Sequence, residues 1–140
     1  MIDDVITGIS RTLDEKFNGA YRIYSEKIEQ GLKSPCFIID VVNTTSDPLL
    51  NARSKRTYNF DIVYISKSNT YAEMYSMAEK LFSALKWIIL LDGTKLLAFE
   101  MRYEVVDNDL HFFVTYPSVM QEVEEKILME NYSLDNEIIK

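Results

Sequence analysis

The chain has 140 residues, a hydrophobic share of 47% and a net charge of −7, from 15 basic and 22 acidic residues. This length favours one domain, and burial of about 68–70% of the unfolded chain's surface would give it a core without metals or disulfides. The acidic balance argues against non-specific binding of nucleic acid, because the chain repels phosphate backbones. A single cysteine excludes an internal disulfide and is typical of a protein that folds in the reducing cytoplasm.

The N-terminus and the apolar runs argue against export and membrane insertion. The first ten residues contain two acids where a signal peptide has bases, and the longest apolar run, Trp87 to Leu91, is far too short to cross a bilayer. We therefore expect a soluble protein with no membrane partner.

The first half of the chain predicts a helix followed by three strands. Apolar residues at three- and four-residue spacing predict an amphipathic helix that ends at Asn18-Gly19, a pair suited to a left-handed C-cap. The apolar positions are Ile2, Val5, Ile6, Ile9, Leu13 and Phe17. β-branched and aromatic residues then predict strands over residues 21–27, 36–45 and 56–66. The third strand alternates strictly, with one face formed by Tyr58, Phe60, Ile62 and Tyr64.

The second half predicts another helix and a hairpin. Ser68-Asn69-Thr70 supplies N-cap chemistry for a helix that ends near Trp87. After a turn at Asp92-Gly93, alternation predicts two strands over residues 96–107 and 110–116. The expected inner face of the returning strand is Leu110, Phe112, Val114 and Tyr116.

The order of elements, α-β-β-β-α-β-β, predicts an α+β domain over residues 1–117, in which two α-helices pack on one face of an antiparallel β-sheet. Pro117 is expected to close the last strand. Residues 118–140 are expected to form a C-terminal arm or short helix, because their apolar residues are few and their end is charged.

The only histidine lies in the returning strand of the hairpin. Because side chains alternate, His111 should share a face with Glu100, Arg102 and Glu104. This pattern favours a solvent-exposed strand residue over a catalytic histidine. A nucleophile–base pair with Cys36 is disfavoured, because the apolar run around Cys36 discourages a thiolate.

The sequence contains no motif of an enzyme. Four dispersed glycines cannot build a phosphate loop or a nucleophile elbow, and one histidine with one cysteine cannot build the usual zinc clusters. Asp40 and Asp61 interrupt apolar strands and could form a metal or acid–base site if their strands pair. The pattern favours two carboxylates on a solvent-exposed face. We predict no catalytic residue, no cofactor and no metal.

Residues 46–56, SDPLLNARSKR, contain the one cluster of positive charge in this acidic chain, and we expect a long loop or a mobile hairpin tip. Two interpretations stay open: an ordinary solvated loop, or a contact surface for an acidic partner in which the leucines take part. With two apolar residues of the C-terminal arm, the expected interface residues are Leu49, Leu50, Arg53, Lys55, Arg56, Ile127 and Ile138.

Several stretches together resemble the small tail terminator, or tail-completion, proteins of Gram-positive phages and prophages. They are the N-terminal helix ending in FNG, YRIYSEKIEQGLKSPCFII, YNFDIVYIS and VVDNDLHFFVTY. Within them, EQGLKSPCF and LHFFVTY carry the resemblance most strongly. It covers residues 1–117 and implies a structural protein of a virion tail or a phage-tail-like bacteriocin, assembled in the bacterial cytoplasm.

The resemblance also implies partners. Such subunits form a ring, commonly a homohexamer, that caps the tail tube, stops its polymerisation and joins it to the head connector or to the sheath end. DNA would pass through the lumen without specific binding, which a net charge of −7 suits. A ring needs two different patches on each subunit, and the basic segment and the acidic C-terminal arm are candidates.

Three alternatives stay open. A head-completion or connector protein would also be small and oligomeric. A small metal-dependent hydrolase would use Asp40 and Asp61. A monomeric binding module would regulate a partner.

Overall fold

The computed structural model describes residues 1–26 and 31–121. Within these ranges the chain forms two helices and seven strands. In chain order they are α1 Ile2–Lys16, β1 Arg22–Tyr24, β2 Cys36–Leu49, β3 Arg53–Ile65, α2 Tyr71–Ala84, β4 Trp87–Ile89, β5 Lys95–Leu97, β6 Glu100–Val106 and β7 Asp109–Gln121. The predicted α+β class and the order α-β-β-β-α-β-β are confirmed, with a small ribbon, β4–β5, inserted after α2.

Five strands form the main sheet in the order β1-β2-β3-β7-β6. β1 and β2 are parallel, and the other neighbours are antiparallel. One face, which we call the inner face, is buried, and in β3 and β7 it is the face that alternation predicted. Its large buried side chains are Phe37, Ile39, Tyr58, Phe60, Ile62, Tyr64, Leu110, Phe112, Val114 and Tyr116.

Both helices cover the inner face. α1 contributes Val5, Ile9 and Leu13 to the same hydrophobic cluster as the strands, and burial of each such side chain stabilises the fold by about 1.5–3 kcal/mol. α1 also approaches β4 closely, because a Cβ on Gly8 would lie 3.0 Å from Leu90 Cδ2. Because glycine has no side chain, α1 can pack closely against the ribbon at Gly8.

The helix ends follow the predicted caps. Asn18 and Gly19 have φ values of 55° and 68°, and the Gly19 N–H donates to the Asp14 carbonyl at 2.8 Å, which is a left-handed C-cap. Thr70 is the N-cap of α2, and its side-chain oxygen accepts a hydrogen bond from the Glu73 N–H.

The ribbon corrects two predictions from the sequence. α2 ends at Ala84, before Trp87, and the strand predicted over residues 96–107 is broken at Ala98-Phe99. The cause is a short antiparallel pairing of β4 with β5 around the predicted Asp92-Gly93 turn.

Residues 46–56, which we call the basic hairpin, are mostly paired strand. The expectation of a long loop is wrong, and that of a hairpin tip is confirmed: β2 continues to Leu49, β3 begins at Arg53, and only residues 50–52 turn. Asn51 and Ala52 make this turn with positive φ values of 65° and 56°. Backbone pairing across the hairpin satisfies groups that a loop would leave to water.

β7 continues past Pro117 to Gln121, so the expectation that Pro117 closes the strand is wrong. The Phe99 N–H donates to the Thr115 carbonyl, so Thr115 points its backbone groups toward β6. Pro117, two residues further, points the same way, beyond the end of β6 at Glu100. Its missing N–H therefore faces a side on which no strand of the described ranges pairs with β7, and proline is tolerated at such positions. The rest of the predicted C-terminal arm, 122–140, lies outside the described residues.

Candidate functional site

The outer face of the sheet is opposite the helices and has a polar centre. Asn59 donates from Nδ2 to Asn43 Oδ1 at 2.7 Å, and it accepts at Oδ1 from the Thr115 hydroxyl at 2.6 Å. This ladder of side-chain hydrogen bonds crosses β2, β3 and β7 and fixes their rotamers. It separates two surfaces of opposite charge, one at each end of the face.

At one end, two carboxylates face each other across neighbouring strands. Asp40 of β2 and Asp61 of β3 are register partners, so the pairing that the sequence left conditional does occur. Asp40 is exposed, whereas Asp61 is 9% exposed. Like charges directly opposite each other destabilise a sheet, so this end of the outer face has an electrostatic cost.

His111 binds Asp61. Its Nδ1 lies 2.8 Å from Asp61 Oδ2, across the β3–β7 pairing. The predicted face is confirmed, because Glu104 is the register partner of His111, but the predicted solvation is incomplete, since the His111 side chain is 25% exposed. The sequence suggested no partner for His111, because two strands 50 residues apart had first to be placed in register.

The surroundings of Asp61 disfavour the charged form of its carboxylate. Burial raises its pKa above the ordinary aspartate value, the charges of Asp40 and Glu104 raise it further, and His111 lowers it only in part. One carboxylate oxygen, Oδ1, is buried and has no hydrogen-bond partner within residues 1–26 and 31–121. A buried oxygen without a partner destabilises a fold by about 1–3 kcal/mol.

Cys36 lies near this end but is no nucleophile. Its side chain is fully buried, and burial raises the pKa of its thiol, as does the charge of Asp109. A raised thiol pKa disfavours the thiolate that attack requires. The structure therefore supports the prediction against a Cys36–His111 pair.

The carboxylates line a groove of about 460 Å³, which we call the acidic groove. Its polar lining is Asp40, Asp61, Asp107, Asp109 and His111, and its apolar lining is Leu32, Ile38, Val63, Ile65 and Val106. Among the described residues no group of three or more histidine, cysteine or acidic side chains is arranged to hold a metal ion. The groove therefore combines negative charge with apolar walls.

At the other end of the outer face, the basic hairpin projects its charges into solvent. Leu50 at the tip is 82% exposed, and Leu49, Arg53 and Lys55 are exposed as well. Arg56 is half-buried and donates from Nε to Ser46 Oγ at 3.0 Å. Of the predicted interface residues, the structure brings these five together, whereas Ile127 and Ile138 lie outside the described residues.

The tip of the hairpin is braced from the neighbouring strand. Gln121 of β7 donates from Nε2 to the Asn51 carbonyl at 2.9 Å, and Arg53 donates from Nε to the Leu50 carbonyl at 3.3 Å. These bonds hold the exposed leucine and the bases in one arrangement.

The β4–β5 ribbon exposes an apolar surface that the sequence analysis missed. Its exposed side chains are Trp87, Ile89, Leu91, Leu97 and Phe99. Ile88 and Leu96 point inward and are buried, so the ribbon alternates although it is apolar on both faces. A signal was available: two short apolar runs flank Asp92-Gly93, a typical hairpin turn.

Neither helix of the described ranges has the length and the apolar run that crossing a membrane requires.

Comparison with known proteins assigns the class. The sequence profile of a family described as phage tail terminator proteins matches residues 4–127. The chain belongs to this family, as its sequence resemblance indicated, and it is thus a structural protein of a phage tail. Among curated proteins, nothing matches the chain.

A solved structure shares the fold. A chain in the structure described as the virion of a native gene transfer agent (GTA) particle superposes with a TM-score of 0.58 at 10% sequence identity. The similarity covers 86% of this chain and 97% of the other. At this identity the likeness concerns the fold alone.

Proposed function

We propose that this protein forms a ring that caps the tail tube, ends its polymerisation and joins it to the head connector or to the end of a sheath. The observation that carries this proposal is the family match over residues 4–127. A similar fold in a chain of a virion particle supports it. The protein then acts in the virion tail, or in a phage-tail-like particle, after assembly in the bacterial cytoplasm.

The surfaces of the subunit suit such an assembly. Head-to-tail rings need two different patches on each subunit. The outer face has the basic hairpin at one end and the acidic groove at the other. The tube protein, the head connector and a sheath protein are the proposed partners, and DNA passes through the lumen without specific binding. We expect six copies in the ring.

The proposal is tested by the length of tails assembled without the protein. In cells that produce the particles, removal of the protein should yield tubes of uncontrolled length in electron micrographs. Supplying the protein from a plasmid should restore one length. Tubes of normal length without the protein would contradict the proposal. Tubes of normal length that lack heads would instead favour a head-completion protein.

The basic hairpin is the proposed contact surface, and its charge can be reversed. Changing Arg53, Lys55 and Arg56 to glutamate should abolish ring formation in sedimentation, because the acidic partner surface would then repel the hairpin. An assembly state equal to that of the unaltered chain would reject the role of the hairpin.

A further inference from the structure

The two charged surfaces of the outer face cannot bind each other within one subunit. Arg53 and Asp61 are eight residues apart on β3, which corresponds to about 27 Å along a strand. β3 is extended between them and paired on both sides, so the basic hairpin cannot fold back onto the acidic groove. Any pairing of these surfaces must join two copies of the chain, end to end.

The acidic groove has the chemistry to accept the side chains of the hairpin tip. Lysine and arginine present an apolar stem and a charged head, and a groove with apolar walls and carboxylates fits both parts. Ile38, Val63 and Val106 provide the walls. They would also cover an inserted leucine, and Leu50 at the tip has 82% of its surface exposed.

The incompletely hydrogen-bonded carboxylate of Asp61 is a second observation that favours a cationic partner for the groove. Its Oδ2 is bound by His111, while Oδ1 is buried in the groove wall without a hydrogen-bond partner among the described residues. Within residues 1–26 and 31–121, this carboxylate oxygen is therefore removed from water and has no donor. A guanidinium or ammonium group that enters the groove would pair with the exposed Asp40 carboxylate and offset the charge that Asp40 and Asp61 place opposite each other.

We propose that the tip of the basic hairpin, with Leu50, Arg53 and Lys55, inserts into the acidic groove of a second copy of the chain. This contact rests on the proposed ring and names the two surfaces that build it. It is heterologous, since the patch on one copy differs from the patch on the next, and repetition of such contacts builds a ring when the rotation from copy to copy closes. The acceptor is thus the groove rather than the acidic C-terminal segment, residues 122–140.

A designed disulfide tests the contact directly. The full-length chain with Leu50→Cys and Val106→Cys, oxidised under native conditions, should give a ladder of covalent multimers on a non-reducing gel. With the native Cys36 replaced by Cys36→Ser in every variant, each single variant has one cysteine and should stop at the dimer. The matched control pairs Leu50→Cys with Leu91→Cys, because Leu91 is an exposed leucine of the ribbon, away from the groove. A ladder in the control, or none in the test variant, would overturn the proposal.

Charge changes separate the groove from the C-terminal segment. Asp40→Lys with Asp61→Asn should weaken self-association by about tenfold or more in sedimentation, since the groove loses its attraction for the bases. Glu124→Lys with Glu125→Gln makes the same change in charge in the C-terminal segment and should leave association intact. Adding Arg53→Glu to the groove variant should restore part of the lost association.

The outcomes distinguish this contact from the ring itself. If the groove variant associates as the unaltered chain does, the contact is wrong and the ring stands. If only the variant at Glu124 and Glu125 loses association, the C-terminal segment is the acceptor and the contact is wrong. If the unaltered chain stays a single copy even with tail tubes present, both the contact and the proposed ring are wrong.

Discussion

Asp61 shows how one residue can oppose the stability of the subunit that contains it. Its carboxylate is nearly buried, faces Asp40 across the strand pair and has one oxygen that no group in the described part of the chain binds. His111 compensates only part of this cost, because the pKa of Asp61 remains raised. A residue that destabilises a fold is expected where it serves binding.

Asp61→Asn should therefore raise the free energy of unfolding at pH 7 by about 1 kcal/mol, because asparagine carries no charge into the buried site. The pKa of Asp61 is raised in the folded state, so folding binds a proton more tightly and the unaltered chain loses stability as pH rises above the ordinary aspartate pKa of 3.8. The gain from asparagine should vanish below that pH. Urea unfolding at pH 7 and in acid measures both.

The exposed partner serves as the control for that prediction. Asp40→Asn should change the stability at pH 7 less than Asp61→Asn does, since Asp40 is in contact with water. A loss of stability in the Asp61 variant at pH 7 would show that the hydrogen bond with His111 outweighs the burial of the Asp61 charge.

At Gly8, the close packing of α1 against the ribbon leaves little room for a side chain. Gly8→Val should lower the free energy of unfolding by about 1–3 kcal/mol, because its side chain would meet Leu90 Cδ2 and the Ile89 carbonyl oxygen, which lie 3.0 and 3.3 Å from an added Cβ. Ser10→Val in the same helix adds the same side chain and should be nearly neutral, because serine and valine have similar helix propensities, whereas helix propensity alone would favour Gly8→Val. Equal stability of the two variants would contradict the close packing of α1 on the ribbon.

At the scale of elements, the sequence predicted the helices and strands in which the apolar pattern extends over many residues. α1 has about four turns of one apolar stripe, and β3 and β7 alternate over many residues, so their buried faces could be assigned. β4 and β5 have three residues each, too few to show a period. For the basic hairpin the sequence leaves a long loop and a mobile hairpin tip both open, because its two strands bury little and their pairing is decided by register rather than by apolar pattern.

The ribbon makes a prediction at this scale. Ile88→Ala should cost about 2–5 kcal/mol, since Ile88 is fully buried in the core. Phe99→Ser should change the stability by less than about 0.5 kcal/mol, because Phe99 is 79% exposed. Chemical denaturation of both variants checks the inward and outward assignments, and a larger loss at Phe99 would contradict them.

The N-cap of α2 gives a second testable prediction at the scale of elements. Thr70→Ala should lower the free energy of unfolding by about 1 kcal/mol, because the Glu73 N–H loses its side-chain acceptor. Ser76→Ala, at an exposed position within the same helix, is the matched control. Thermal unfolding of the two variants measures the difference, and a control as destabilised as the Thr70 variant would argue against capping.

At the scale of the whole molecule, the two ends of the outer face carry opposite charge. One end carries exposed bases and leucines, the other end carries carboxylates in a groove, and a polar ladder separates them. The sequence identified the basic end and singled out Asp40 and Asp61, but it could not identify the acidic groove, because the groove exists only when β2, β3, β6 and β7 are in register. Such a directional subunit suits head-to-tail association, as the proposed ring requires.

The central claim is that this phage tail protein works by associating with itself and with the tail tube. Sedimentation of the full-length chain over a range of concentrations, alone and with purified tail tubes, tests it most directly. We expect one discrete assembly with a mass near six times the 16.3 kDa of the chain, enriched on tube ends. A single 16.3 kDa species at every concentration, with no binding to tubes, would contradict it.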